Sequence, residues 1–230
     1  MTKFVLVGLE TPIELKENSV VSLNVENGSY FYDLVCEIKK LFNGENSFFS
    51  FWSDGKMTNP SKSGELIDDF FNFGANDKKI LNLLYKRIDS ATNACDGIVK
   101  MNEINEKIYN LYADVFHDLP FLLDSSALTV TDLLKATDVK FVENYSSFVE
   151  KFVCYVNILA ELKNVNFLVC VNLKSVCSHD DFTEIFKHCQ REQISLFLIE
   201  SGSVKYAIPE ERAIIITEDL CEIVENIKGL

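Results

Sequence analysis

The sequence predicts an α/β fold in which a long helical segment separates two β-containing ends of the chain. Residues 166–217 have the order strand, helix, strand, strand. Residues 1–62 alternate short β-type runs with one helical pattern, and the residues in between keep a helical spacing over many turns. Because alternation of hydrophobic strands and helices is typical of α/β domains, the two chain ends are expected to form one sheet-containing domain.

Four β-type runs occur in the opening segment. The first three are rich in β-branched residues and separated by Pro12 and Asn18, which predicts a small β-meander. They are residues 4–9, 13–15 and 20–25. A fourth run at residues 48–52 ends at Asp54 and Gly55, a dipeptide that favours a tight hairpin turn.

One helix is expected between the third and the fourth run. Apolar residues recur at spacings of three and four from Tyr30 to Phe42. Ser29 is the expected N-cap. Gly44 is expected to end the helix, because glycine adopts the left-handed backbone conformation of helix C-termini at little cost. The opening segment therefore alternates β with α.

The middle of the chain is expected to be helical. From Ser63 to about Val115, apolar residues keep the spacing of amphipathic helices, with interruptions expected at Gly74 and Gly97. The apolar stripe either packs between the helices themselves or is covered by a second copy of the chain, and the sequence leaves both interpretations open.

Three shorter elements are expected after Pro120. A Thr-x-x-Asp motif predicts a short helix at residues 129–135, and residues 139–142 predict a brief strand. An apolar stripe then predicts a long helix from about Tyr145 to Leu162, with a core-facing side rather than a cofactor site.

The closing segment has the clearest pattern. Phe167 to Val171 is continuously apolar, as expected for a strand that is buried on both faces. Ser178, followed by two aspartates, opens a helix. Leu196 to Ile199 and Ala213 to Ile216 predict two more buried strands, and a helical crossover between such strands predicts a parallel or mixed sheet.

The order of these elements predicts two domains. Because the helical segment lies between the β-rich opening and the closing unit, both chain ends are expected to contribute to one α/β head. We expect this head to consist of residues 1–62 and 140–230, and an inserted α-helical leg to consist of residues 63–139.

Composition restricts the environment and the partners of the chain. Its 230 residues are 47% hydrophobic, and 35 acidic against 22 basic residues give a net charge of -13. Such a charge repels nucleic acid and anionic membranes, so any DNA site must be a local basic face. The seven cysteines include no CxxC pair, and no apolar run resembles a signal peptide or a membrane span. We expect a soluble cytoplasmic protein with reduced thiols.

The sequence lacks the motifs of nucleotide binding and of common catalytic sites. The strand-to-helix junction at residues 172–178 contains no glycine, so no phosphate loop is expected there, and Lys174 is expected to face solvent. No Gly-x-Ser-x-Gly elbow is present, and the nuclease-like letters at residues 37–39 lie in a helical pattern. Two Cys/His pairs match no established zinc spacing: Cys177 with His179, and His188 with Cys189.

Two groups of charged residues are candidate binding sites. The basic group lies along one side of a helix, which favours contacts with a phosphate backbone: Lys78, Lys79, Lys86 and Arg87. The acidic group lies where a helix end meets an acidic loop, which can bring several oxygen ligands to a cation such as Ca²⁺: Asp114, Asp118 and Asp124. For both groups the alternative is a solvated helix face.

Several short sequence words, taken in their order and spacing, resemble a known family. The first two strands of the closing segment and the Ser/Asp-opened helix between them resemble the closing half of the small CRISPR-associated spacer-acquisition protein of type II-A systems. These strands are Phe167-Leu168-Val169-Cys170-Val171-Asn172 and Leu196-Phe197-Leu198-Ile199-Glu200. Further similar words extend over nearly the full chain: Phe4-Val5-Leu6-Val7, Thr11-Pro12-Ile13, Ile80-Leu81-Asn82-Leu83-Leu84 and Thr131-Asp132-Leu133-Leu134-Lys135-Ala136.

The resemblance implies an α/β head related in shape to P-loop ATPases but without a nucleotide site, a helical leg, and a ring-shaped homotetramer. It also implies sequence-independent binding of double-stranded DNA in a lysine-lined hole, Ca²⁺ at subunit contacts, and spacer acquisition together with the integrase proteins and the effector nuclease. The calcium acids of the family correspond loosely to Asp118 and Asp124, whereas the basic group is chosen from charge spacing alone.

Two other functions stay open. One is a metal-dependent nuclease that uses Asp114, Asp118 and Asp124, and the other is a protein-interaction scaffold that touches no nucleic acid. Cleavage of DNA with added divalent metal would identify the first, and failure to bind any DNA would favour the second.

Overall fold

The computed structural model describes residues 2–94, 96–209 and 211–226. The chain forms two compact units. The α/β unit consists of Met1–Gly74 and Asn144–Leu230, and the helical unit consists of Ala75–Glu143. The predicted mixed α/β class is confirmed.

Six strands of the described chain form the main sheet of the α/β unit. They are β3 (Val20–Val25), β6 (Gly64–Ile67), β7 (Phe167–Val171), β8 (Ser195–Ser201), β9 (Glu211–Ile216) and β10 (Glu222–Asn226). Their order is β10-β9-β3-β8-β7-β6, and all neighbours pair in parallel except β10 with β9. The central strands are buried along nearly their whole length, which explains their almost continuous apolar sequences.

A second, antiparallel sheet is formed by four short strands. They are β1 (Thr2–Leu6), β2 (Ile13–Leu15), β4 (Phe49–Ser53) and β5 (Lys56–Met57), in the order β2-β1-β4-β5. The predicted turn between β4 and β5 is confirmed, since Asp54 and Gly55 have φ angles of +51° and +76°.

The predicted β-meander is wrong in its third strand. β3 does not pair with β2 but lies between β8 and β9 in the main sheet. All six residues of β3 are buried, and only a strand covered on both faces by other elements satisfies such a sequence.

Aromatic rings from both sheets meet in one core. Phe4 of β1 lies 4.9 Å from Phe51, 5.6 Å from Phe167 and 5.2 Å from Phe197, measured between ring centroids. All four side chains are nearly inaccessible to solvent. The antiparallel sheet is therefore part of the same core as the main sheet, together with one face of the first helix.

Three α-helices complete the described part of the α/β unit: α1 (Gly28–Asn43), α5 (Phe148–Lys163) and α6 (His179–Arg191). Asn27 rather than Ser29 caps α1, because its side chain accepts the N–H of Tyr30 at 3.0 Å. Gly44 ends α1 with a φ of +78°, as predicted. The expected N-cap of α6 is confirmed, since Ser178 and Asp181 form a capping box.

The helical unit contains α2 (Lys78–Asn93), α3 (Gly97–Asp118) and α4 (Val130–Ala136). α2 packs against both other helices, and Thr129 with Asp132 caps α4 as predicted. The strand expected at residues 139–142 is absent, because the backbone of Phe141 bonds to the side-chain amide of Asn76 rather than to a second strand.

The helical pattern predicted from Ser63 onward is wrong in its first part. Gly64–Ile67 forms β6, which pairs in parallel with β7. Phe70 and Phe73 pack with Phe148 and Phe152 of α5 inside the α/β unit. Short apolar runs fit a strand as well as a helix, so periodicity alone could not separate the two.

None of the helices in the described part of the chain combines the length and the apolar character needed to cross a membrane.

Candidate nucleic-acid interface

The predicted basic group lies on the outer side of α2. Asp77 caps this helix by accepting the N–H of Lys79 at 2.7 Å. Ile80 and Tyr85 are buried on the inner side of the helix. There the hydroxyl of Tyr85 donates to the carbonyl of Val139 at 2.8 Å. The helix period therefore places the charged residues on the opposite side.

All four basic side chains of this group are exposed: Lys78, Lys79, Lys86 and Arg87. Within the described residues, Lys78, Lys79 and Lys86 form no ion pair, so their charges are available to an external anion. Exposed cations along one side of a helix are an arrangement that allows contacts with a phosphate backbone.

The three candidate aspartates do not meet in one chain. Asp114 and Asp118 are exposed in the last two turns of α3, and Asp124 is exposed in the irregular segment that follows. One carboxylate oxygen of Asp124 accepts the N–H of Ser125 at 2.8 Å. Across residues 2–94, 96–209 and 211–226, no group of three or more His, Cys, Asp or Glu side chains is arranged to hold a metal.

The Cys/His pairs considered for zinc are engaged elsewhere. The thiol of Cys177 donates to the carbonyl of Leu173 at 3.2 Å, and Cys189 is fully buried. His188 bonds through Nε2 to Asn157 on α5 at 2.7 Å, and His179 is the first residue of α6. These residues belong to the packing of α6 rather than to a metal site.

The surface of the helical unit carries many large apolar side chains. Leu122 is 104% exposed, Leu111 81% and Phe121 65%. Ile98, Tyr109 and Val115 on α3 are also more than half exposed. Monomeric proteins rarely expose so many large apolar groups in one small unit, so this surface is typical of a protein interface.

α/β proteins usually bind ligands at the carboxyl ends of their parallel strands, and internal hydrogen bonds occupy the backbone at two of these ends, after β3 and after β7. Only Glu26 and Asn27 separate β3 from α1, and the N–H of Glu26 donates to Ile216 at 2.9 Å. After β7, the side chain of Asn172 accepts the N–H of Ser201 at 2.8 Å. Neither junction has the length or the glycines of a phosphate loop.

Lys174 is buried, and the prediction that it faces solvent is wrong. Its ammonium group donates to Glu211 Oε1 at 2.6 Å and to the carbonyl of Tyr206 at 2.8 Å. It also lies 5.3 Å from the ring centroids of Phe182 and Tyr206. Only 1% of the Lys174 side chain and none of the Glu211 side chain is exposed. This ion pair fixes the junction after β7 to residues 202–209 and to β9.

Glu200 extends the buried polar network at the end of β8. Its carboxylate accepts the backbone N–H of Lys174 at 3.0 Å. Burial raises the pKa of Glu200 to about 7, although this hydrogen bond and the Lys174 charge act in the opposite direction. Ser22 of β3 donates to Glu211 at 2.5 Å. Sequence reasoning missed this network, although a glutamate that ends the apolar run Leu196–Ile199 was a visible signal.

The titration of Glu200 predicts that folded stability falls as the pH rises from about 4.5 to about 7. In this window the folded carboxyl keeps a proton that the unfolded carboxyl, with its ordinary pKa of 4.5, has lost. The loss is on the order of 3 kcal/mol. Denaturant midpoints of the wild type and of Glu200→Gln at pH 5, 6, 7 and 8 measure it.

The Glu200→Gln variant should lack this component and gain stability relative to the wild type toward pH 8. The exposed Glu192→Gln serves as the control and should follow the wild type. Parallel pH profiles of wild type and Glu200→Gln would show that Glu200 is ionised throughout.

The sequence was compared with known proteins to find the family to which the chain belongs. A protein-family model described as "CRISPR-associated protein (Cas_Csn2)" matches residues 41–220. A search of curated proteins found no match.

The chain is also similar to several solved structures. One is a post-hydrolysis dimer of the ATP-binding cassette MJ0796 bound to ADP and Pi, at 11% identity and a TM-score of 0.48, with 100% of both chains covered. A nucleotide-free cassette of an ABC transporter has 14% identity and a TM-score of 0.44, with 96% of this chain and 90% of that chain covered. The SMC head domain from Thermotoga maritima has 12% identity and a TM-score of 0.37, with 99% and 98% covered.

At these identities and scores, nothing about nucleotide binding transfers to this chain. The family match is of a different kind, because it extends over most of the sequence, including the helical unit and the strands from β6 to β9. The chain is a member of the Cas_Csn2 family of CRISPR-associated proteins.

Proposed function

We propose that the chain acts in CRISPR spacer acquisition as a non-catalytic, ring-shaped homotetramer that encircles double-stranded DNA without reading its sequence. Membership of the Cas_Csn2 family supports a CRISPR-associated role. The ring and its DNA binding follow the resemblance seen in the sequence, and the integrase proteins and effector nuclease of the same system are the proposed partners.

The main support for the proposed assembly is the set of exposed apolar side chains on the helical unit. Burying one leucine side chain contributes about 1.5–3 kcal/mol, so several such residues per copy can stabilise a contact between helical units. The stripe on α3 is not covered by its own unit, which favours the self-association interpretation left open by the sequence.

The outer face of α2 supports the DNA-binding part of the proposal. The helical unit has eight basic against eleven acidic residues, whereas the α/β unit has 14 against 24. Most of the negative charge therefore lies on the α/β unit. In a ring, each copy contributes one basic α2 face to a shared channel, and the contributions add because phosphates are bound by charge rather than by base sequence.

Calcium in this proposal lies between copies. Asp114, Asp118 and Asp124 are exposed but separate within one described chain, so a complete set of oxygen ligands needs a second copy. Ca²⁺ then strengthens the contact between helical units and takes no part in catalysis.

Replacing Leu111 and Leu122 by glutamate is expected to dissociate the assembly into smaller species. Both side chains are exposed in the single chain, so the change should leave the fold and its thermal midpoint nearly unaffected. Light scattering coupled to size-exclusion chromatography measures the mass. The exposed Val7→Glu and Tyr32→Glu in the α/β unit are matched controls. An unchanged mass would show that the helical unit does not carry the contact.

The proposal as a whole is tested by two measurements on the full chain. Solution mass with and without Ca²⁺ should correspond to a tetramer that is more stable with the ion. Gel shifts with unrelated linear duplexes should show similar affinities for each sequence and weaker binding at higher salt. A monomer, or a lack of binding to any duplex, contradicts the proposal, and cleavage of the duplex with added metal favours the nuclease alternative.

A further inference from the structure

One edge of β10 has no partner strand among the described residues. In the described part of the chain, β10 has only one neighbour, the antiparallel strand β9. The N–H of Thr217 donates to the carbonyl of Cys221 at 3.0 Å, so these two residues form a hydrogen-bonded pair. In antiparallel strands such pairs alternate with pairs that are not hydrogen-bonded to each other, and the register of β9 with β10 continues this alternation. Glu222 and Val224 therefore point their backbone N–H and C=O groups away from β9. An edge of this kind is a template for another strand.

The opposite edge of the same sheet is protected. Lys163 of α5 donates to the carbonyl of Gly64 on β6 at 2.8 Å and pairs with Glu65. A lysine at a sheet edge is a common obstacle to strand addition, as are proline and bulges. Residues 213–226 contain no lysine, arginine or proline, so β10 lacks these obstacles.

The side chains around the open edge are apolar and acidic. Leu220, Ile223 and Val224 are each at least 40% exposed. Glu218, Asp219 and Glu225 are also exposed. A surface with this composition complements a strand that carries positive charges and small apolar groups, because opposite charges across a strand pair stabilise it.

The side chain of Glu222 ties β10 to the segment that follows β1. One of its carboxylate oxygens accepts the backbone N–H of Glu10 at 2.7 Å. The other oxygen, Oε1, is buried and accepts no hydrogen bond from the described residues. Buried polar atoms are nearly always paired, so the part of the chain that the structure describes leaves this carboxylate incompletely satisfied.

We propose that β10 is a strand-addition site for an extended segment of another protein in which lysine or arginine alternates with β-branched residues. The backbone groups of Glu222 and Val224 supply the hydrogen bonds, and the acidic side chains select the basic partner. A second copy of β10 is a poor occupant, since it would bring a second set of acidic side chains, those of Glu218, Asp219 and Glu225, to the same edge. The strand lies outside residues 41–220, so the inference does not depend on the family match.

The test uses a labelled synthetic peptide that alternates lysine with valine, added to the full chain. Hydrogen exchange followed by NMR should show that the amides of Glu222 and Val224 exchange rapidly in the protein alone and become protected with the peptide. The amides of Ile223 and Glu225 should be protected in both states, because they bond to β9. A peptide of equal charge with prolines in place of the valines controls for attraction to the net negative charge.

Two variants separate backbone pairing from charge. Val224→Pro removes an outward N–H and should weaken peptide binding about tenfold, whereas Val224→Thr keeps the N–H and should bind as the wild type does. Asp219→Lys with Glu225→Lys should also weaken binding. Equal binding by both Val224 variants, or protection that is absent at Glu222 and Val224, overturns the proposal. A peptide-independent dimer that Val224→Pro dissociates also overturns it, in favour of a second copy as the occupant.

Discussion

Replacement of Lys174 by methionine should lower the free energy of unfolding by about 3–5 kcal/mol. The change leaves the carboxylate of Glu211 fully buried, with hydrogen bonds from Ser22 and from the N–H of Ile208 but no balancing charge. It also removes the donor to the carbonyl of Tyr206. Urea unfolding followed by circular dichroism measures the effect.

Two controls make this prediction specific to the buried ion pair. Lys187→Met changes an exposed lysine of α6 and should alter stability by less than about 0.5 kcal/mol. Lys174→Met combined with Glu211→Leu removes both charges and should recover much of the loss, because an apolar pair avoids the cost of an isolated buried charge. If Lys174→Met is as stable as Lys187→Met, the ion pair does not hold residues 202–209 in place.

Reversing the four positive charges of α2 should also have a large effect, in this case on DNA binding. Glutamate in place of Lys78, Lys79, Lys86 and Arg87 should weaken binding to duplex DNA by at least about 100-fold, since each charge near a phosphate contributes on the order of 1 kcal/mol. The slope of log K against log salt should decrease by about 0.9 for each phosphate contact that is lost. Fluorescence anisotropy over a salt series measures both quantities.

Exposed lysines of the α/β unit provide the matched control for this variant. Glutamate at Lys56 and Lys187 adds negative charge far from α2 in sequence and should change the affinity and the salt slope only slightly. If the α2 variant binds DNA as well as this control does, the phosphate contacts lie on other residues, even if the ring and its DNA binding are correct.

The sequence predicted the closing part of the fold well because several signals agree there. β7 is continuously apolar, as is Leu196–Ile199 in β8, and Ser178 with Asp181 gives a capping box, which is a signature of helix N-termini. The prediction failed where a short segment had to be assigned to a sheet. β3 and β6 pair with strands far away in sequence, and local periodicity carries no information about such pairing.

The candidate site was predicted unevenly for similar reasons. The helix period gave the exposed side of α2 correctly, since amphipathic spacing depends only on the local chain. The burial of Lys174 could not be predicted from its own surroundings. Its partner Glu211 lies 37 positions away, and the folded strand β9 brings the two charges together. Whether the three aspartates of the helical unit share a cation depends on an assembly that one sequence does not describe.

The central claim is that the assembled protein encloses the duplex, and trapping on DNA with blocked ends tests this most directly. The protein is loaded on a linear duplex that carries biotin at both ends, streptavidin is then added, and the complex is challenged with high salt. A ring that encloses DNA should stay on the blocked duplex and leave an identical duplex with open ends, because only sliding releases it once the charge contacts are screened. Equal release from blocked and open duplexes would contradict the enclosure of DNA.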